Sequence, residues 1–314
     1  MKLKQNQYLI YLLLCICFFS CKPSSNNKQS GQQQEKKIAV LLVNHGSRSE
    51  TWRKALLSLE QQVDSIIRQD ESVQAVRTAF MEYTEPSIAT RLREFDQEGF
   101  TDVVMVPVFL TVSSHSFDDI PTLIGQKDDP KSIELFKIEK MERYKPKATV
   151  HIAPLLDFTD LLQKNILRRY RQLAKDPKKE GLTLIAYGDK TYNTEWSALM
   201  DTVGRYVQQQ TGMPAYSYGW CGHVANYQSD STTVAIQQVL KKTERAVVLP
   251  VLVAFDEMFQ IKIIGDGINK IANNKNSVIY KPDAILPDPG VQEWVIQTSR
   301  KYVHQIIQKG IVQR

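Results

Sequence analysis

The sequence predicts an α/β protein with two parallel sheets. Three observations carry this. Short β-branched runs alternate with amphipathic segments of helical spacing, the pattern that builds parallel sheets with right-handed crossovers. The alternation restarts midway along the chain. About 275 residues follow the N-terminal segment, enough for two compact domains.

The elements follow in order. Ile38–Val43 is an apolar strand. From Glu50 to Arg68 an apolar stripe of Trp52, Leu56, Leu57, Leu59, Val63 and Ile66/Ile67 marks a helix. Val73–Met81 is a second strand. Pro86 to Phe95 is a second helix, with proline at its start, where no amide donor is needed. Val103–Leu110 and Thr149–Pro154 are the third and fourth strands, and Phe158 to Leu173 is a helix leading into a link at 176–181. The second series has strands at Leu182–Tyr187, Ala215–Trp220, Ala246–Val253 and Ser277–Ile285. Its helices are at Trp196 to Gln210, Thr232 to Lys242, Ile261–Ala272 and Val291 to Gln308.

The restart has a register. His45-Gly46 matches Tyr187-Gly188 at an offset of 142, and Val106-Pro107-Val108 matches Leu249-Pro250-Val251 at 143. Two anchors agreeing within one residue argue for a duplicated domain. The copies differ chemically: Tyr187 stands where the first has His45, and Met258 where it has His115. The expected organisation is a leader at 1–20, a tether at 21–37, a first domain at 38–176 carrying the chemistry, and a degenerate second domain at 177–314.

The N-terminus reads as a targeting segment. Lys2 and Lys4 precede an apolar run of 12 residues, Tyr8 to Phe19, short of the roughly 20 a spanning helix needs. Ser20-Cys21 after that run resembles a bacterial lipobox, which implies cleavage before Cys21, lipidation there, export, and a protein held to a membrane on the periplasmic side. Residues 22–37 are polar and read as a flexible tether. Only Cys221 remains beyond Cys21, so no intrachain disulfide is expected. The net charge of +6 falls to +4 once Lys2 and Lys4 are removed, which is no nucleic-acid signature over this length.

Three residues of the first half end consecutive strands: His45, Glu82 and His115. If the strands are parallel, all three lie at one carboxyl edge, where open α/β sheets carry their chemistry. Two imidazoles and a carboxylate suit Co²⁺, Fe²⁺, Ni²⁺ or Zn²⁺. Each also has a plainer reading: His45 as a turn or capping residue, His115 as an exposed loop residue, Glu82 as an ordinary carboxylate. Ser47 and Arg48 suit anion binding at a helix N-terminus. His151 reads as a core or edge residue and His304 as solvated.

Asn44-His45-Gly46-Ser47-Arg48, then Phe80-Met81-Glu82-Tyr83-Thr84-Glu85-Pro86-Ser87, then Val106–Leu110 with His115 and Asp118-Asp119-Ile120-Pro121, resemble the sirohydrochlorin cobaltochelatase group of the ATP-independent, class II chelatases. The resemblance covers the first half in sequence and the second only as fold. It implies two flavodoxin-like domains facing across a cleft that holds a tetrapyrrole. It also implies that His45 and His115 bind the incoming divalent metal, Co²⁺ foremost and Fe²⁺ or Ni²⁺ as alternatives, with Glu82 as ligand or proton acceptor. Phe80, Phe117 and Trp220 would pack on the macrocycle. His223, one residue from the counterpart of Glu82, would be a further contact or a plain loop residue. No nucleotide is expected, and no G-x-x-x-x-G-K-[ST] loop occurs.

An alternative from the same features is an exported carrier of a tetrapyrrole or metal ion, using the same cleft without turnover. His-Gly also marks histidine phosphohydrolases, but Asn44 stands where those enzymes place an arginine.

Overall fold

A computed structural model describes residues 36–113, 115–156, 159–222 and 229–312. The segment expected to be a leader, Cys21 and His223 lie outside the described residues. The described chain forms two flavodoxin-like domains, each a four-stranded parallel sheet, facing across a cleft.

In the first half β1 (Ile38–Asn44) is followed by α1 (Glu50–Ile67), β2 (Val73–Phe80), α2 (Ile88–Gln97) and β3 (Asp102–Pro107). A π-helical turn at His115–Asp119 runs into the short α3 (Ile120–Leu123). Then come α4 (Pro130–Glu139), β4 (Thr149–Ile152) and α5 (Thr159–Leu173). The second half repeats the plan with β5 (Glu180–Ala186), α6 (Asn193–Thr211), β6 (Tyr216–Trp220), α7 (Ser229–Leu240) and β7 (Arg245–Val251). A π-helical turn at Met258–Ile264 leads to α8 (Gly265–Asn269), α9 (Asn274–Ser277), β8 (Val278–Tyr280) and α10 (Pro289–Val312). The sheet orders are β2-β1-β3-β4 and β6-β5-β7-β8, the same arrangement shifted by four strands.

The central strands are buried on both faces, as parallel strands covered by helices must be. All seven residues of β1 and all seven of β5 are buried. The duplication is visible in the register as well as the order. Val43 pairs with Pro107 in the first sheet, and Ile185 with Pro250 in the second. Both π-helical turns begin at the offset of 143, at His115 and Met258.

Two helices cross between the halves. α5 follows the first sheet but packs on α6 and β7, and α10 follows the second sheet but packs on α1 and β3. Asn165 on α5 donates to Asp288 at 2.8 Å, and Arg300 on α10 donates to the Ile66 carbonyl at 3.1 Å. One apolar cluster therefore runs from Leu42 and Val63 of the first half to Leu184 and Val295. The boundary expected at 176/177 separates the two sheets, and these helices reach across it.

Among the described residues the sequence reading missed α4 and the two four-residue helices α3 and α9. α4 has the signals of a helix start: the Asp129 carboxylate accepts from the Ser132 amide and Pro130 fills the first position. β3 stops at Pro107, short of the expected Leu110. Val108 to Leu110 continue as buried chain, with the Val108 amide bonded to the Val43 carbonyl at 2.8 Å.

Candidate metal centre

His45, Glu82 and His115 are brought together at the carboxyl edge of the first sheet. One ligand atom from each lies within 4.8 Å of the others. The two imidazoles meet edge to face, with ring centroids 4.8 Å apart. Around an ion with bonds near 2.1 Å, ligand atoms stand roughly 3–4 Å apart, so side-chain shifts of about 1 Å close the set. Such an open arrangement suits holding an ion that must later leave.

The backbone explains the meeting of His45 and Glu82. The Met81 and Glu82 amides donate to the Asn44 and His45 carbonyls, both at 2.8 Å, extending the β1–β2 pairing past the strand ends. Gly46 makes this approach possible. Its φ of +103° is left-handed, and a Cβ there would stand 2.0 Å from the Glu82 carbonyl oxygen. Glu82 itself is buried. His45 Nδ1 lies 3.1 Å from the Gly46 carbonyl; an oxygen there only accepts, so the ring lone pair falls on Nε2.

His115 opens the π-helical turn, and its Nδ1 lies 2.7 Å from Asp119 Oδ2. Burial pulls the Asp119 carboxyl upward, but hydrogen bonds from His115 and Ser132 outweigh it, and the group titrates below the usual carboxylate range. Asp119 is thus an acceptor, His115 Nδ1 the donor, and Nε2 carries the lone pair on this ring too.

Tyr83, with φ of +64°, stands beside the cluster, 6.1 Å from the His45 ring and 5.2 Å from the Arg48 guanidinium. Burial, the Glu82 charge and a hydrogen bond to Glu82 push its phenol up to about 12. It stays protonated at neutral pH. Across the cleft Tyr187 is held upward by burial first, and it feels the charges of Tyr83 and Glu82 as well.

The remaining expected contacts divide. Arg48 and Phe117 are exposed at the rim, Phe117 stacked on Tyr192 of the second half at 6.5 Å. Ser47 is engaged between the halves, its hydroxyl donating to Asp256 at 2.6 Å. Trp220 is half-buried between Trp196 and Tyr218. Phe80 is corrected: strand alternation turns it into the core against Trp52, where it is 1 % exposed and out of reach of any ring in the cleft.

Sequence reasoning missed four contributors. Asp119 was detectable, one helical turn after His115. Ser132 was not, because α4 went unrecognised. Asp256 and Glu257 take hydroxyl bonds from Ser47, Ser49 and Thr51 across the cleft, and only the folded structure places them there.

Comparison with known proteins fits this geometry. The CbiX family model matches residues 39–173. The sirohydrochlorin cobaltochelatase of Methanococcoides burtonii is 34% identical over 98 residues, which cover 31% of this chain and 70% of that protein. This chain belongs to the sirohydrochlorin cobaltochelatase (CbiX) family. The enzyme of the same name from Methanopyrus kandleri is 32% identical, over 28% of this chain and 59% of that one. The chain thus spans between 59% and 70% of the length of these two relatives. Among solved structures, the sirohydrochlorin chelatase SirB from Bacillus subtilis subspecies spizizenii, in complex with cobalt, matches with a TM-score of 0.58. Its sequence identity is 17%, and the match covers 85% of this chain and 96% of that one. CbiX, the terminal enzyme of siroheme biosynthesis in denitrifying bacteria, matches with a TM-score of 0.53 and 16% identity, over 84% and 98% of the two chains. At these identities the likeness is one of fold.

Proposed function

We propose that this member of the CbiX family inserts a divalent metal, Co²⁺ foremost, into sirohydrochlorin or a related tetrapyrrole without a nucleotide. The observation that carries the reading is the His45–Glu82–His115 cluster, three ligands within 4.8 Å at the cleft. His45 and His115 hold the ion through Nε2. Metallation exchanges two pyrrole N–H protons for one M²⁺, so the site must deliver a cation and accept two protons. Glu82 serves as third ligand or proton acceptor, and each imidazole takes up a proton once the ion leaves it.

Exposed Phe117 and Tyr83 offer apolar surface to the macrocycle, and Arg48 offers a cation to its carboxylates. Trp220 and Ser47 join them only if the cleft rearranges around the ring, and His223 is a further candidate contact. The apolar run before Cys21 supports an exported, lipid-anchored form; Cys21→Ser should abolish labelling by a radioactive fatty acid, and unlabelled wild type would exclude the anchor.

Added Co²⁺ should shift the absorption spectrum of sirohydrochlorin in the presence of the protein and the absence of ATP. The double variant His45→Ala/His115→Ala should fall to the buffer rate. A wild type no faster than buffer overturns the reading. Stoichiometric ring binding with no insertion would support a carrier instead.

A further inference from the structure

We infer that Asp119, braced by Ser132, is the positioning residue of the metal centre: it locks the His115 ring with Nε2 toward the ion. The inference rests on the metal-centre reading above and adds the residue that makes His115 a ligand of fixed orientation.

Both oxygens of Asp119 are committed. Oδ2 accepts from His115 Nδ1 at 2.7 Å, and Oδ1 accepts from the Ser132 hydroxyl at 2.6 Å. The carboxylate is 3% exposed, and Ser132 is equally hidden. With both ends tied, the carboxylate has no freedom to rotate, and the imidazole it holds cannot flip without leaving a buried charge short of a partner. Ser132 is itself fixed, since its amide donates to the Asp129 carboxylate that caps α4. A chain of contacts therefore runs from the start of α4 through Ser132 and Asp119 to His115. A carboxylate on the far nitrogen also makes the metal-facing nitrogen a stronger donor.

The second half supplies an independent observation. Its matching π-helical turn starts at Met258, and the place of Asp119 is taken by Lys262. Where the histidine is missing, so is its brace, although the backbone turn is kept.

The test is Co²⁺ binding to the full chain by calorimetry, with no tetrapyrrole present. Asp119→Ala should weaken binding by about ten- to a hundredfold, the usual cost of removing such a partner. Asp119→Asn still accepts from Nδ1 and should lose less. In a His115→Ala background, Asp119→Ala should change affinity by less than about twofold, since a positioning residue acts only through its ligand. Ser132→Ala removes the brace alone and frees the carboxylate to rotate; Co²⁺ binding should weaken severalfold, by less than in Asp119→Ala, while ¹⁵N spectra still show His115 Nε2 unprotonated as in wild type. This arm stands even if Asp119→Ala does not fold. Wild-type affinity in Asp119→Ala, an equal loss in the His115→Ala background, or wild-type affinity in Ser132→Ala each overturns the inference. If wild type binds Co²⁺ but inserts none, the chelatase reading fails and this one stands; if wild type binds no Co²⁺, both fall.

Discussion

The two halves share a backbone and differ in what they can hold. At the end of the central strand His45 faces the same place in its half as Tyr187 in the other. The Glu82 amide bonds to the His45 carbonyl as the Gly222 amide bonds to the Tyr187 carbonyl. His115 and Met258 each open a π-helical turn. In both halves the residue after the imidazole position is a left-handed glycine, Gly46 with φ of +103° and Gly188 with φ of +80°. The residue that faces it across the loops differs: in the first half it is Glu82. In the second it is a further glycine, Gly222, where a Cβ would stand 2.5 Å from the Tyr187 carbonyl oxygen. The closer approach at Gly222 leaves the second half no room for a carboxylate beside the imidazole position, and that half becomes a wall.

Gly46→Ala should break the comparison most severely. The left-handed backbone costs alanine roughly 1–3 kcal/mol, and the new Cβ would collide with the Glu82 carbonyl at 2.0 Å. The loops must part, carrying Glu82 away from His45. Chemical denaturation should show the stability loss, and Co²⁺ titration should show affinity at least tenfold weaker. A variant that binds like wild type would mean the loop contact does not position the site.

The opposite edge of the sheets offers a second contrast. At the start of β3, Asp102 accepts from His151 at 2.9 Å and from Lys36 at 2.8 Å; at the matching start of β7, Arg245 pairs with buried Glu180. Burial pulls the Asp102 carboxyl up, but hydrogen bonds from His151, Lys36 and Thr101 win and bring it down to about 2. Because the folded pKa lies below the unfolded one, the stabilisation is complete above the unfolded value of about 3.9 and is lost as pH falls through about 2. Asp102→Asn should therefore cost on the order of 2 kcal/mol at pH 7, with the difference from wild type closing between about pH 4 and pH 2. Urea midpoints measured across that range decide it; a pH-independent difference would assign the loss to packing.

Much of this was legible in the sequence because it is written in periodicity. Strands such as Ile38–Asn44 and helices such as Glu50–Ile67 follow from runs and stripes. The site residues were legible because parallel strands deliver their ends to one edge, which makes His45, Glu82 and His115 neighbours before any coordinates exist. What was hidden depends on contacts far apart in sequence. Phe80 looked like a ring contact, yet strand alternation buries it. The crossing of α5 and α10 shows no local signal, since their apolar stripes do not say which sheet they cover. The Ser47–Asp256 bond, 209 residues apart in the chain, is of the same kind.

The smallest expected effect is the sharpest test of the comparison. Tyr187→His, Gly222→Glu and Met258→His together copy the three ligand types into the second half. If composition alone made the site, the variant would bind two Co²⁺ per chain. We expect one. The glutamate's Cβ would meet the Tyr187 carbonyl at 2.5 Å, a backbone atom that trimming the tyrosine ring leaves in place. A histidine at 258 would find Lys262, not a carboxylate, one helical turn on, so nothing would fix its tautomer. Equilibrium dialysis against Co²⁺ counts the sites directly. A second equivalent of comparable affinity would show that the glycine position and the Asp119 brace matter less than the ligands themselves. A single equivalent, removed by His45→Ala in the same chain, would show that the duplicated backbone carries a metal only where the loops leave space for the acid.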